Sequence, residues 1–193
     1  VVSEILTKRT SFQLLLDLFG SSRAFAYVFL EDSESYEKLL AMESSWRFFN
    51  TQGLGADATR ELVGIDQEEQ QKRLERFQRN NTLELLLADF AGRVELQSLQ
   101  SSLSAIADAC IEAAIFLAVQ RLECDALPKY VVLGLGSLGN QQMGYFSDLD
   151  LVFVYEPTGA KIKVQGREFT ESEAYVRLAQ RVISVLLMPA RSG

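Results

Sequence analysis

Two carboxylates, Asp148 and Asp150, stand one residue apart at the head of an apolar run, Leu151-Val152-Phe153-Val154-Tyr155. If that run is a strand starting at Leu149, Asp150 interrupts it. A buried carboxylate must then be paired with a cation, hydrogen-bonded or bound to a metal. Alternation along a strand puts Asp148 and Asp150 on one face, roughly 6–7 Å apart. Two oxygen-rich groups on one rigid face suit a hard cation such as Mg²⁺. The plainer alternative is that Asp148 caps a turn and Asp150 pairs with an arginine.

A glycine-rich turn lies 12 residues upstream, counted from Gly136 to Asp148: Gly134-Leu135-Gly136-Ser137-Leu138-Gly139. Its glycines leave backbone N–H groups open and let a phosphate come close. Ser137 adds a hydroxyl donor. Turn and Asp pair together read as a phosphate cradle beside a metal-binding edge. The turn also spells G-x-G-x-x-G, the dinucleotide fingerprint. Nine residues separate Gly139 from Leu149, too few for the crossover helix that fingerprint needs. A P-loop is absent.

These residues need elements to hold them. Tyr130-Val131-Val132-Leu133 reads as the strand before the glycines, and 149–155 as the strand after them. Residues 161–169 could add one more short strand. Thr170-Glu171-Ser172-Glu173 matches a capping box. Ala174, Leu178, Val182, Val185 and Leu186 form the apolar face of the helix behind it, which stops before Pro189.

The first 125 residues read almost wholly as helix. Phe12, Leu15, Leu16 and Phe19 share a helical spacing, with Gly20 as a left-handed cap. Ser21 or Ser22 caps the next helix, which carries Phe25, Val28 and Phe29. Tyr36, Leu39, Leu40 and Met42 mark a third. Residues 50–66 read as loop. Residues 68–77 are a charged helix with a solvated face, and the apolar stretch Leu83 to Phe90 follows. Leu99, Leu103, Ile106, Cys110, Ala113 and Leu117 fall on one face of a helix from about Ser98 to Glu123. The character changes at Leu127-Pro128, which gives a division into 1–125, helical, and 126–193.

Composition bounds the function. The chain has 193 residues, 48% of them hydrophobic, and a net charge of −7. It is a folded chain, too apolar to be disordered. An acidic balance argues against nucleic acid as a partner. No uninterrupted apolar stretch of roughly 20 residues points to a membrane span, and Val1 to Leu6 is not a signal peptide. With no histidine, His-based acid–base chemistry and His-ligated zinc are excluded. Cys110 and Cys124 lie about 21 Å apart along a continuous helix. They therefore read as unpaired, buried thiols in a reducing cytoplasm.

Gly134 to Gly139 followed by Met143-Gly144-Tyr145-Phe146-Ser147-Asp148-Leu149-Asp150-Leu151-Val152-Phe153-Val154-Tyr155 resembles the signature of glutamine synthetase adenylyltransferases. These are polymerase-β-like nucleotidyltransferases. Arg177-Leu178-Ala179-Gln180-Arg181, the segment Leu83 to Leu122 and Leu14 to Gly20 resemble the family's helices. The resemblance implies an α+β fold: a mainly helical N-terminal part, then a small mixed β-sheet nucleotidyltransferase core. It implies that Asp148 and Asp150 are catalytic and hold Mg²⁺. Gly136, Ser137, Gly139 and Ser147 would contact ATP. An adenylyl group would move between ATP and a tyrosine of glutamine synthetase, or be removed by phosphorolysis. A PII-type regulatory protein would act through the longer enzyme.

Two positions depart from the family pattern. Ser137 stands where lysine is usual, and Asn140 where glycine is usual. The family's third acidic residue lies on a strand beyond Ser192-Gly193, so a chain truncated at its C-terminus is expected. Two other readings stay open: a non-catalytic nucleotide- or effector-binding module of the same fold, and a helical interaction module.

Overall fold

The computed structural model describes residues 9–31, 35–44, 51–124, 127 and 129–187. The expected domain junction at 125/126, Pro128, Pro189 and both chain ends lie outside these residues, as do the side chains of Val28 and Met42. The architecture is α+β and mostly helical.

Among the described residues, three short helices come first: α1 (Arg9–Ser21), α2 (Arg23–Glu31) and α3 (Ser35–Ser44). Helix α1 runs through Gly20 instead of ending there, and Gly20 is not left-handed. Its most buried apolar residue is Leu18, while Phe12, Leu16 and Phe19 are exposed. The Ser22 hydroxyl accepts the Ala24 N–H at 3.2 Å and caps α2.

The interval expected to be loop contains α4 (Leu54–Arg60). It lies on α6, where a Cβ on Gly55 would run into the Glu112 carboxylate. The charged segment and the apolar stretch after it form one helix, α5 (Gln67–Phe90). Asp66 caps it by accepting the Glu69 N–H at 3.0 Å. Its solvated face carries the pairs Lys72–Glu68 at 2.6 Å and Arg73–Glu69 at 3.0 Å.

Helix α6 (Leu96–Leu122) is the spine. All six residues of its expected stripe are buried. By length and composition α6 could cross a membrane. Here that apolar surface packs against α4, α5 and α8. Cys110 is buried on it, and burial pushes its thiol up to about 12. Cys124 lies past the helix end, half-buried and paired with Val164 in a β-bridge, and neither cysteine is in a disulfide.

The rest is β1 (Tyr130–Gly134), a single-turn helix α7 (Gly136–Gly139), β2 (Leu151–Tyr155), β3 (Lys161–Val164), β4 (Arg167–Thr170) and α8 (Glu171–Leu187). Among the described residues there are two antiparallel two-stranded sheets, β1–β2 and β3–β4, where one mixed sheet was expected. Tyr130 pairs with Tyr155 and Gly134 with Leu151. Residues 161–169 thus hold most of a hairpin instead of one strand. Gln165 and Gly166 both take positive φ, as a tight hairpin turn requires.

The capping box forms. The Thr170 N–H and hydroxyl donate to Glu173 Oε2, each at 2.9 Å, and the Glu173 N–H returns to Thr170 Oγ1 at 3.3 Å. Ala174, Leu178, Val182 and Val185 then seat α8 on α6.

The described residues form two cores. The larger joins α4, α5, α6 and α8 with Ile162 and Val164 of β3. The smaller gathers Leu18, Phe29 and Leu39 around Leu83, Leu86 and Leu87 of α5. Leu74 and Leu85 of α5 face the larger one.

Candidate nucleotidyltransferase site

The glycine turn continues directly from β1. The Leu135 N–H donates to the Asp150 carbonyl at 2.8 Å, one step beyond the last paired residues of the ladder. This bond sets the turn beside the Asp segment. Gly136 then takes φ +55°, in the left-handed region. A Cβ there would lie 2.9 Å from Asp150 Oδ2. Gly139 is needed for a different reason: a Cβ on it would meet the Gly134 carbonyl oxygen at 2.6 Å. Leu138 is buried beneath the turn and holds it down.

Asp148 and Asp150 are both exposed, and β2 begins after them, at Leu151. This corrects the expectation that Asp150 interrupts a buried strand. The β1–β2 sheet covers the core with one face only. Tyr130, Val132, Leu151, Phe153 and Tyr155 are partly buried, whereas Val131, Leu133, Val152 and Val154 are exposed. Alternation from half-buried Leu151 turns Asp150 to the exposed side. Neither carboxylate needs an arginine to offset burial, and neither makes an ion pair among the described residues. Two exposed, unpaired carboxylates are a fitting donor set for a hard cation. Among the described residues, no third acidic, Cys or His side chain joins them in a metal-binding cluster.

Ser137 is half-buried on the turn. Ser147 sits in a local turn. Its hydroxyl accepts the Gly144 N–H at 2.8 Å, and its own N–H donates to the Gly144 carbonyl at 3.2 Å. Ser147 therefore shapes the segment entering Asp148.

That segment is anchored from three sides by residues the sequence does not single out. The Met143 N–H donates to the hydroxyl of buried Ser104 on α6, at 3.3 Å. The Tyr145 hydroxyl donates to Asp89 Oδ2 on α5, at 3.1 Å. Burial, and then the Asp89 charge, raise the Tyr145 phenol well above the ordinary tyrosine range. Phe25 of α2 stacks on Phe146, with centroids 5.3 Å apart, and meets Tyr145 edge-on at 5.2 Å. The two hydrogen bonds span 39 positions, Ser104 to Met143, and 56, Asp89 to Tyr145, and the Phe25–Phe146 stack spans 121. Local spacing carries no signal for them.

The sequence profile of one family, glutamate-ammonia ligase adenylyltransferase, matches residues 12–193. Among curated proteins, the chain is similar to bifunctional glutamine synthetase adenylyltransferase/adenylyl-removing enzymes. The one from Thioalkalivibrio sulfidiphilus is 29% identical over 166 residues, covering 78% of this chain and 17% of the relative. The one from Neisseria meningitidis serogroup B is 33% identical over 150 residues, covering 75% and 16%. The one from Idiomarina loihiensis is 35% identical over 137 residues, covering 66% and 14%. The chain thus spans less than a fifth of the length of these relatives. With the profile matched over nearly its whole length, the chain belongs to the glutamate-ammonia ligase adenylyltransferase family.

Proposed function

We propose that this chain is part of a nucleotidyltransferase unit that moves an adenylyl group between ATP and a tyrosine hydroxyl of glutamine synthetase. The observation that carries the reading is the juxtaposition of the left-handed Gly136 turn with the Asp150 carboxylate. A nucleotide's phosphates have a Cβ-free surface there, next to two unpaired carboxylates. The names of the relatives supply the acceptor protein and both directions of transfer.

In this mechanism Gly136 and Ser137 receive the phosphates through their backbone N–H groups and the Ser137 hydroxyl, while Gly139, whose own N–H donates to the Leu135 carbonyl at 3.0 Å, keeps the turn tight. Asp148 and Asp150 hold Mg²⁺. When bound, that ion supplies charge neutralisation on the phosphates and lowers the cost of deprotonating the attacking hydroxyl. The tyrosine oxygen forms the new bond to the α-phosphorus, and the bond to pyrophosphate breaks. In the reverse direction, phosphate attacks the adenylyl group and tyrosine leaves. The chain's residues contribute position and charge. Ser147 and the anchors around Tyr145 fix the approach to Asp148. In this reading the chemistry is cytoplasmic, and a PII-type protein regulates the longer enzyme.

Calorimetric titration with ATP tests the reading. Binding should need Mg²⁺ and be lost in the Asp148→Asn/Asp150→Asn variant, with unfolding unchanged because both side chains are exposed. Binding that ignores both changes sinks it. The alternative reading is a nucleotide-binding module of the same fold without catalysis. That reading predicts ATP binding but no adenylyl transfer in the full-length protein.

A further inference from the structure

We propose that the cleft between α8 and the β3–β4 hairpin is a second anion site, which takes a small phosphate-bearing anion. It shares no residue with the Gly136–Asp150 centre and does not rest on adenylyl transfer.

The cleft encloses about 560 Å³. Three guanidinium groups line it: Arg167 from β4, and Arg177 and Arg181 from α8. Positions 177 and 181 are one helical turn apart, so both reach the same side of α8. Gln165, Gln180 and Ser184 add neutral hydrogen-bonding groups. No lining residue carries a carboxylate. In a chain with a net charge of −7, this concentration of positive charge is not a by-product of a basic composition.

Two of the three cations are held in place before any ligand arrives. The Arg177 guanidinium lies 4.3 Å over the Phe169 ring. Arg181 donates to the Arg121 carbonyl, in the last turn of α6. Arg121 in turn donates to Gln70 Oε1 at 3.1 Å, while its buried Nε has no partner. Burial, and then the nearby Arg181 charge, lower the Arg121 pKa. Arg121 and Arg181 thus donate to neutral oxygens, and the two cations repel each other.

Glu173, one turn before Arg177 on α8, feels the Arg177 charge. Its Oε2 is already committed to Thr170 in the capping box. Arg167 makes no ion pair among the described residues.

The chemistry of the guest follows. Planar guanidinium forks bind oxyanions in pairs of hydrogen bonds. Three of them, arriving from two elements, exceed what one carboxylate can accept. A phosphate group has more charge and more acceptor oxygens. Its source is either free phosphate or the phosphates of a nucleotide.

The test is amide-resolved ¹H–¹⁵N NMR of this chain in EDTA, titrated separately with inorganic phosphate, pyrophosphate and ATP. Saturable shifts at Gln165, Arg167, Gln180 and Ser184 are expected. Affinity should fall at least tenfold in Arg167→Gln/Arg177→Gln, whose altered side chains are exposed. An unchanged unfolding curve would show that this variant stays folded. Response to all three anions assigns the site to phosphate itself, and response to ATP alone assigns it to a nucleotide. Shifts confined to residues 136–140 overturn the proposal, as does equal affinity in the variant. A glutamate-rich peptide that binds the cleft when no phosphate compound does also overturns it. Magnesium-dependent ATP binding lost in Asp148→Asn/Asp150→Asn is a separate result, so either idea can fail alone.

Discussion

Asp150 occupies the space that a side chain on Gly136 would need: its Oδ2 is 2.9 Å from the Cβ position. Residue 136 also has φ +55°. Gly136→Ala should therefore carry two penalties. The left-handed backbone costs about 1–2 kcal/mol for an L-residue, and the Asp150 carboxylate must move. Denaturant unfolding should show that loss of stability, and Mg²⁺-dependent ATP binding should weaken at least tenfold. Unchanged binding would mean that the carboxylate can shift without consequence.

Tyr145→Phe removes the hydrogen bond to Asp89 while keeping the ring among Phe25, Phe90 and Phe146. A loss of about 1–2 kcal/mol is expected, since the acceptor is charged. Amide exchange over residues 143–150 should speed up more than exchange in α6. In the native protein, spectrophotometric titration should show tyrosines that ionise late: Tyr145, held neutral by burial and Asp89, beside Tyr130 and Tyr175, which burial also raises. Tyr145→Phe should reduce the amplitude of that late ionisation by one tyrosine.

Acid should weaken the α8 start before it reaches the helical cores. The Glu171 carboxylate accepts from the Thr158 hydroxyl and from the Thr158 and Gly159 N–H groups. These bonds, the hydroxyl first, lower its pKa. The Thr170 N–H and then its hydroxyl lower that of Glu173. Both folded values lie below the unfolded one, roughly 4.3. Their stabilisation is complete above the unfolded value and disappears as pH falls through the folded values. Glu171→Gln should flatten the stability–pH curve in that acid window and leave its slope near neutrality unchanged.

Cys110 should resist thiol reagents in the native state. Its thiol is buried and pushed up to about 12, so thiolate is scarce at pH values where a free cysteine reacts. Labelling at Cys110 should track global unfolding in denaturant. Rapid native labelling there would mean that α6 opens locally.

The parts legible in the sequence share one property: short-range periodicity or a local motif. The stripe from Leu99 to Leu117 and the capping box at Thr170 need only a few neighbouring residues to be read, and both are present. The glycine turn and Asp pair were legible as a pattern, and the fold sets Gly136 against Asp150. The exposure of Asp150 was not legible. It depends on β1–β2 covering the core with one face only, and the run after Asp150 is apolar on both faces. The 161–170 hairpin was missed because Gln165-Gly166 lacks the Asn or Asp that usually marks such turns. Gly20 had the right residue type for a cap, yet α1 continues to Ser21. The Ser104, Asp89 and Phe25 anchors come from distant positions and leave no trace in local spacing.

Helix α5 is a wall shared by two cores, and this bears on how the sequence can drift. Leu83, Leu86 and Leu87 fill one core, while Leu85, two positions from Leu83, fills the other. Around residues 83–88 the helix has little exposed face on which a polar substitution could be accepted. Between residues 67 and 79 it has a broad charged one. The same helix should therefore evolve at two speeds, with its N-terminal half exchanging charges freely. Its C-terminal half should change mainly through compensated swaps of similar volume, made in both cores together.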